Sequence, residues 1–234
     1  MIYILVGFIL GFSIPYLARR FAKFMPATMA YALYRIFHIN KSVSKSKKLC
    51  NRKYLQLKNH YLMRSLGWGI ISSAILLLIS LSTPSNETPW LAFFIIILLL
   101  LTEIDKRIEY LPDILTSPLL IGGFAYAVFA GNLLGENIIL STTNSSLGAI
   151  MGYLLPVVAS LLLIKKHPDN FGGGDIKILA AIGAWLGLTN IPYVIILSCI
   201  IFGISCFINK KRAGAFGPSI VLSALIILFI LIYQ

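Results

Sequence analysis

Apolar side chains in this chain come in long continuous runs, not in the alternating or one-faced pattern of a soluble fold. The runs fall at about 1–18, 66–82, 90–104, 114–131, 147–164, 176–190, 192–208 and 216–233. A bilayer core takes about 20 mainly apolar residues per helix, with some latitude for tilt. The pattern therefore predicts an all-α, polytopic membrane helix bundle of about eight transmembrane helices. The third and sixth runs are short and need polar ends or neighbours to complete a crossing. Composition points the same way. Of 234 residues, 58% are hydrophobic and 12% charged, where a soluble domain is nearer about 25% charged.

Charge then sets the orientation. Twenty Lys and Arg stand against eight Asp and Glu, a formal net of +12. Such an excess suits nucleic acid in a soluble chain, but beside apolar runs it is a topology signal, and no nucleic-acid partner is expected. With the N-terminus outside, the inner segments are about 19–65, 103–113, 165–177 and 209–213, and they hold all 20 Lys and Arg. The outer loops, near 83–89, 132–146 and 191, hold none. Both termini are then expected outside. The first run, 1–18, has no basic residues before it, and Arg19, Arg20 and Lys23 follow it. That order predicts a retained anchor rather than a cleaved signal. Residues 19–65 form a basic cytoplasmic segment whose stretch Lys41 to Arg64 suits anionic inner-membrane lipids. Phe21 to His38 is weakly amphipathic and is expected on the inner surface. Residues 66–234 make up the membrane-embedded domain.

Few residues are left to carry chemistry. Cys50, Cys199 and Cys206 form no CxxC pair, and His38, His60 and His167 are scattered, so no metal site is expected. Neither a P-loop nor a GxSxG nucleophile motif occurs. Among the acids, Glu87 and Glu136 fall in outer loops and Asp169 in a polar loop, where solvation accounts for them. Glu103, Asp105, Glu109 and Asp113 cluster at the inner end of the third run, and Asp175 opens the sixth. Acids at the edge of hydrocarbon are costly and mark functional candidates. After Pro112 a new helix is expected, with Asp113 and Thr116 capping or hydrogen-bonding its first turn. Gly172, Gly173 and Gly174 permit unusual backbone and close approach before Asp175. A glycine loop before a helix also suits phosphate, but an acid there repels it.

Asp105 and Asp175 lie on the same membrane face in this topology. Two carboxylates that meet can share a proton, one acting as base toward water while the other protonates a carbonyl. That is aspartyl-protease chemistry. Helix dipoles predict an ionised Asp175 at a helix N-terminus and a protonated Asp105 at a C-terminus, with Lys106 and Arg107 opposing the second effect. Lys177 is either a snorkelling boundary residue or an electrostatic partner of the site.

On these residues the sequence resembles the type IV prepilin peptidase family, the bacterial branch of the GxGD intramembrane aspartyl proteases. Asp105 with Leu111-Pro112-Asp113 and Leu115-Thr116 is similar to the family's D-x5-LPD-x-LT pattern. Gly172-Gly173-Gly174-Asp175, Lys177 and the following AAIGAWLG resemble its GxGD-x-K helix. Ala215-Phe216-Gly217-Pro218 resembles its FGP turn. The resemblance implies a multi-pass enzyme of the bacterial inner membrane that cuts leader peptides from prepilins or type II secretion pseudopilins. The cut is expected at the cytoplasmic border of the substrate's apolar helix, between a Gly and a usual Phe. It makes Asp105 and Asp175 the catalytic pair and residues 66–234 the peptidase domain, with no cofactor for proteolysis. Gly172, Gly173, Gly174, Glu109 and Asp113 are the candidate substrate contacts. A basic leader would meet a basic inner surface, and Glu103, Glu109 and Asp113 are expected to offset that at the entrance.

Family members also carry an early inner domain with two zinc-binding CxxC pairs, and many methylate the new N-terminus with S-adenosylmethionine. Here residues 19–65 contain Cys50 as their single cysteine, so no zinc is expected. S-adenosylmethionine enters only if methylation is retained. Two rival readings are an ion-coupled transporter and an inactive subunit of a pilus or secretion machine. Transporter sites usually lie near the midplane, whereas these acids sit at the inner edge. The presence of both aspartates argues against an inactive subunit.

Overall fold

A computed structural model of the chain describes residues 2–24, 51–130, 137–163, 172–210 and 214–233. All regular structure among the described residues is α-helical: α1 (Ile2–Phe24), α2 (Asn51–Ser82), α3 (Thr88–Ile108), α4 (Asp113–Phe129), α5 (Ile138–Leu163), α6 (Gly173–Leu186), α7 (Ile191–Asn209) and α8 (Gly217–Ile232). Each apolar run has become a helix, in order, as a polytopic helical bundle requires. Five stretches are long and apolar enough to cross a membrane: Ile2–Lys23, Tyr61–Ser82, Thr88–Ile108, Ile138–Leu161 and Ile191–Asn209. Helices α4 and α8 are shorter apolar helices, and α6 has 14 residues.

Two helices start well ahead of their apolar runs. Helix α2 begins at Asn51, inside the basic segment, because Arg, Lys, Leu and Gln there are all good helix formers with no Pro or Gly to stop them. Helix α5 begins at Ile138, through a polar stretch assigned to an outer loop by hydropathy. The hydroxyls of Thr142, Thr143 and Ser146 donate to carbonyls one turn back at 2.8, 2.9 and 2.8 Å, so these side chains are satisfied within their own helix. Of the stretch Phe21 to His38, α1 covers residues to Phe24, and the rest lies outside the described residues, as do Lys41 to Cys50.

The chain divides into two compact units, residues 1–78 and 79–234, with the boundary inside α2. In the first, α1 and α2 meet where small residues let the backbones close. Ser72 Oγ donates to the Gly7 carbonyl at 2.6 Å, and a Cβ at Gly11 would overlap Ser72 Oγ. Nearby, the Arg19 guanidinium lies over the Tyr61 ring, 4.1 Å from its centroid.

The second unit is built around α6, which packs against α4, α5, α7 and α8. Every residue from Ile178 to Leu186 is buried, as a helix apolar on all sides demands. At the crossing with α5, Gly148 and Gly183 lie back to back, and a Cβ on either would overlap the other's carbonyl oxygen. Ser145 Oγ donates to the Ala184 carbonyl at 2.7 Å, and Asn144 Oδ1 accepts the Leu188 N–H at 2.8 Å. Trp185 stacks on Phe94 and Tyr126 at centroid distances of 4.7 and 5.3 Å, and its Nε1 donates to the Leu119 carbonyl at 2.7 Å. These contacts fix the axis of α6, and with it the first turn that carries Asp175.

Helix α3 ends, and α4, α6 and α8 begin, at one end of this unit. The described Lys and Arg residues of the unit, Lys106, Arg107, Lys177 and Lys210, all belong to that end. At the start of α3, Glu87 is not simply solvated as its loop position implied. It is half-buried and accepts the Tyr126 hydroxyl at 3.3 Å. Burial raises its pKa above the ordinary 4.5, and the Tyr126 hydrogen bond lowers it by less.

Candidate active site

Asp105 belongs to the last turns of α3. The helix runs on to Ile108 and stops at Glu109, whose backbone is left-handed (φ 50°, ψ 38°) and whose N–H donates to the Asp105 carbonyl at 2.9 Å. The Asp105 side chain is buried, with 4% of the residue exposed. Its Oδ2 accepts the backbone N–H of Gly217 at 2.9 Å. Gly217 is the first residue of α8 and Pro218 the second, so this amide is one of the helix's orphan donors. A Cβ at Gly217 would lie 2.7 Å from Oδ2, which explains why glycine stands there. The FGP turn thus supplies an amide to Asp105, a role that the motif's spacing alone did not reveal.

Asp175 is the third residue of α6, after the N-cap Gly172. Its carboxylate turns back toward the Gly172 backbone N–H, the reach of an acidic third residue in a capping box. The dipole asymmetry expected between the two aspartates is therefore absent. Asp105 ends one helix but meets the N-terminal amide of another, so each carboxylate has a backbone N–H. The glycines meet one half of the expectation, close approach, and not the other, unusual backbone. Gly172 has an ordinary backbone (φ −65°), and neither Gly173 nor Gly174 has a positive φ. Gly174 matters through closeness, since a Cβ there would lie 2.9 Å from Leu111 Cβ.

Helix α4 starts after Pro112, as expected, but neither Asp113 nor Thr116 caps it through its side chain. Thr116 Oγ1 hydrogen-bonds within the first turn, the other expected role, donating to the Asp113 carbonyl at 3.4 Å. The Asp113 carboxylate accepts Lys177 Nζ at 2.6 Å, so Lys177 is an electrostatic partner within the site. Glu103 departs from its expected place at the entrance. It is fully buried and holds Arg107, whose Nε and a terminal nitrogen donate at 2.9 and 2.6 Å.

Asp105 and Asp175 line one cavity of about 820 Å³. Glu109, Asp113, Lys177 and the three glycines border it too. Four carboxylates and one ammonium face this space, so the cavity is acidic within a chain of net charge +12. Its apolar wall includes Leu111, Phe202 and Phe216, the last two edge to face with centroids 5.1 Å apart. Helix α7 contributes Cys199, Phe202 and Gly203. These were not singled out from sequence, because apolar residues in an apolar run carry no sign of which face meets lipid. Among the described residues, no group of three His, Cys, Asp or Glu side chains is placed to hold a metal ion. Two carboxylates that line one cavity of this size are equipped for hydrolysis.

Comparison with known proteins bears on the same region. Residues 92–208 match the type IV leader peptidase family. The chain is 37% identical over 137 residues to a prepilin leader peptidase/N-methyltransferase of Neisseria gonorrhoeae, covering 56% of this chain and 44% of that protein. A Vibrio cholerae protein of the same description is 31% identical over 154 residues, 61% of this chain and 58% of the relative. One from Aeromonas salmonicida is 34% identical over 172 residues, 69% and 50%. The chain thus spans about half the length of the curated relatives it matches. No solved structure matches it.

Proposed function

Because the chain belongs to the type IV leader peptidase family, we propose that it is an aspartic endopeptidase that removes leader peptides from prepilins or pseudopilins. It is a multi-pass membrane protein, with five helices long and apolar enough to cross a bilayer. The proposed setting is the bacterial inner membrane, with the basic loops and the acidic cavity at the cytoplasmic face. One observation carries the reading: Asp105 and Asp175, 70 positions apart on different helices, line a single cavity.

The aspartates act as a pair holding one proton between them. The ionised member takes a proton from water as the oxygen adds to the scissile carbonyl, and the protonated member donates to the carbonyl oxygen. The tetrahedral intermediate then collapses as the leaving nitrogen is protonated, giving a carboxylate and a new N-terminal amine. Water is the nucleophile, and this sequence needs no cofactor. The Gly217 and Gly172 amides hold the two carboxylates in orientation. Gly172, Gly173 and Gly174 offer a side-chain-free wall along which a peptide backbone lies. Glu109 faces the cationic part of the leader, while Asp113 is committed to Lys177. The relatives are described as N-methyltransferases as well. S-adenosylmethionine is a partner here only if that second activity is present.

The test is incubation of the purified chain in detergent with full-length prepilin or pseudopilin, followed by mass spectrometry of the product N-terminus. Wild type is expected to yield one cut at the leader boundary. Asp105→Asn and Asp175→Asn are expected to fold and to cut nothing. Cleavage by either variant overturns the dyad, and a wild-type protein that cuts no such substrate overturns the peptidase reading in favour of transport or an assembly role.

A further inference from the structure

We propose, building on the peptidase reading, that the Asp113–Lys177 ion pair is a positioning clamp that sets the separation of Asp105 and Asp175. The two aspartates sit on different helices, and residues 109–113 carry the chain from the end of α3 into the first residue of α4. That segment touches the start of α6 on both sides of Asp175. Before it, Leu111, 2% exposed, lies against Gly174. After it, Lys177 reaches across to Asp113 at 2.6 Å. Asp175 is therefore bracketed by one apolar and one ionic contact, both to the segment that follows Asp105.

The pair's side chains are 49% and 41% exposed, so it adds little to stability. Its effect is geometric. A two-carboxylate mechanism tolerates little error in separation, and a displacement of about 1 Å costs about 100-fold in rate. A single flexible contact at the edge of the cavity controls part of that distance, so losing it is expected to lower turnover about tenfold. Substrate affinity is not expected to follow, because both charges are already spent on each other.

Kinetics with the full chain and a prepilin substrate test this. Lys177→Met and Asp113→Asn are each expected to lower kcat about tenfold with KM within about twofold of wild type. The reversed pair, Asp113→Lys with Lys177→Asp, is expected to recover most of the loss. Unchanged kcat in the single variants overturns the clamp. So does a rise in KM at constant kcat, which marks a substrate contact, and so does a reversed pair no better than the singles. A readout free of activity separates this from failure of the peptidase reading. Spin labels at Tyr110 and Gly173, both exposed beside the clamp, are expected to give a narrow distance distribution that broadens in Lys177→Met. An unaltered distribution overturns the clamp whether or not the protein cleaves a pilin.

Discussion

The backbone N–H of Gly217 donates to Oδ2 of Asp105 at 2.9 Å, across 112 residues of chain. It ties the start of the last helix to the carboxylate at the end of α3. A methyl group on residue 217 would sit 2.7 Å from that oxygen and 3.0 Å from Cγ. The carboxylate would have to rotate off the amide to make room. Gly217→Ala is therefore expected to lower prepilin cleavage about 100-fold while folded yield is kept. Gly67→Ala, where an added Cβ meets nothing within 4 Å, is the control and should cut at the wild-type rate. Equal rates for both variants would remove any role for the Gly217 amide.

Glu109 combines an unfavourable backbone with an exposed charge at the cavity. Its φ of 50° is a conformation that most side chains avoid, and the residue is exposed. Replacing it by Lys leaves the backbone demand unchanged and turns one of the cavity's four carboxylates into a cation. For a substrate with a basic leader, KM should rise about tenfold at low salt, less at high salt, with kcat held. A leader whose Lys and Arg are replaced by Gln should show no difference between the two proteins. A KM that ignores both leader charge and salt would discard the electrostatic role.

Much of the fold was legible in the sequence, because a membrane helix announces itself through composition alone. All eight apolar runs became helices, and the acids at residues 105 and 175 stood out because so few others lay near hydrocarbon. Boundaries were less legible where polar residues satisfy themselves locally, as Thr142, Thr143 and Ser146 do in α5. Partnerships between helices were the least legible. Glu103 looked like an entrance acid, yet it is buried on Arg107, because hydropathy fixes depth along a helix and says nothing about facing. The sequence carries one signal of facing: glycines four apart at 148 and 152, and again at 183 and 187, mark faces where two backbones close.

That last signal carries its own prediction. Gly148 and Gly183 meet backbone to backbone, so an added methyl overlaps a carbonyl oxygen that neither helix can move without dragging its neighbours. Gly148→Ala should separate α5 from α6 and disturb the Ser145 bond to Ala184. Overpacking of this kind costs about 3 kcal/mol. Unfolding in denaturant-titrated detergent micelles should show it, with activity lost in parallel as α6 shifts. A variant of wild-type stability would mean that this crossing is looser than its geometry indicates.

Glu87 offers a pH test remote from the site. Burial raises its pKa above 4.5, and the Tyr126 hydroxyl only partly counters that. The folded state therefore binds this proton more readily than the unfolded chain. Stability from this group is gained as pH falls through the folded pKa and is lost as pH rises through it. At pH 8 the ionised side chain is a small cost, small because the group is only half-buried. Glu87→Gln keeps an acceptor for Tyr126 and removes the charge. Its Tm in detergent should exceed that of wild type by about 1–2 °C at pH 8 and match it at pH 4. Tyr126→Phe removes the one contribution that lowers the Glu87 pKa, so its loss of stability should begin at the same pH as in wild type and continue to higher pH. A Glu87→Gln variant less stable at every pH would show that the carboxylate's contact with Tyr126 outweighs its burial.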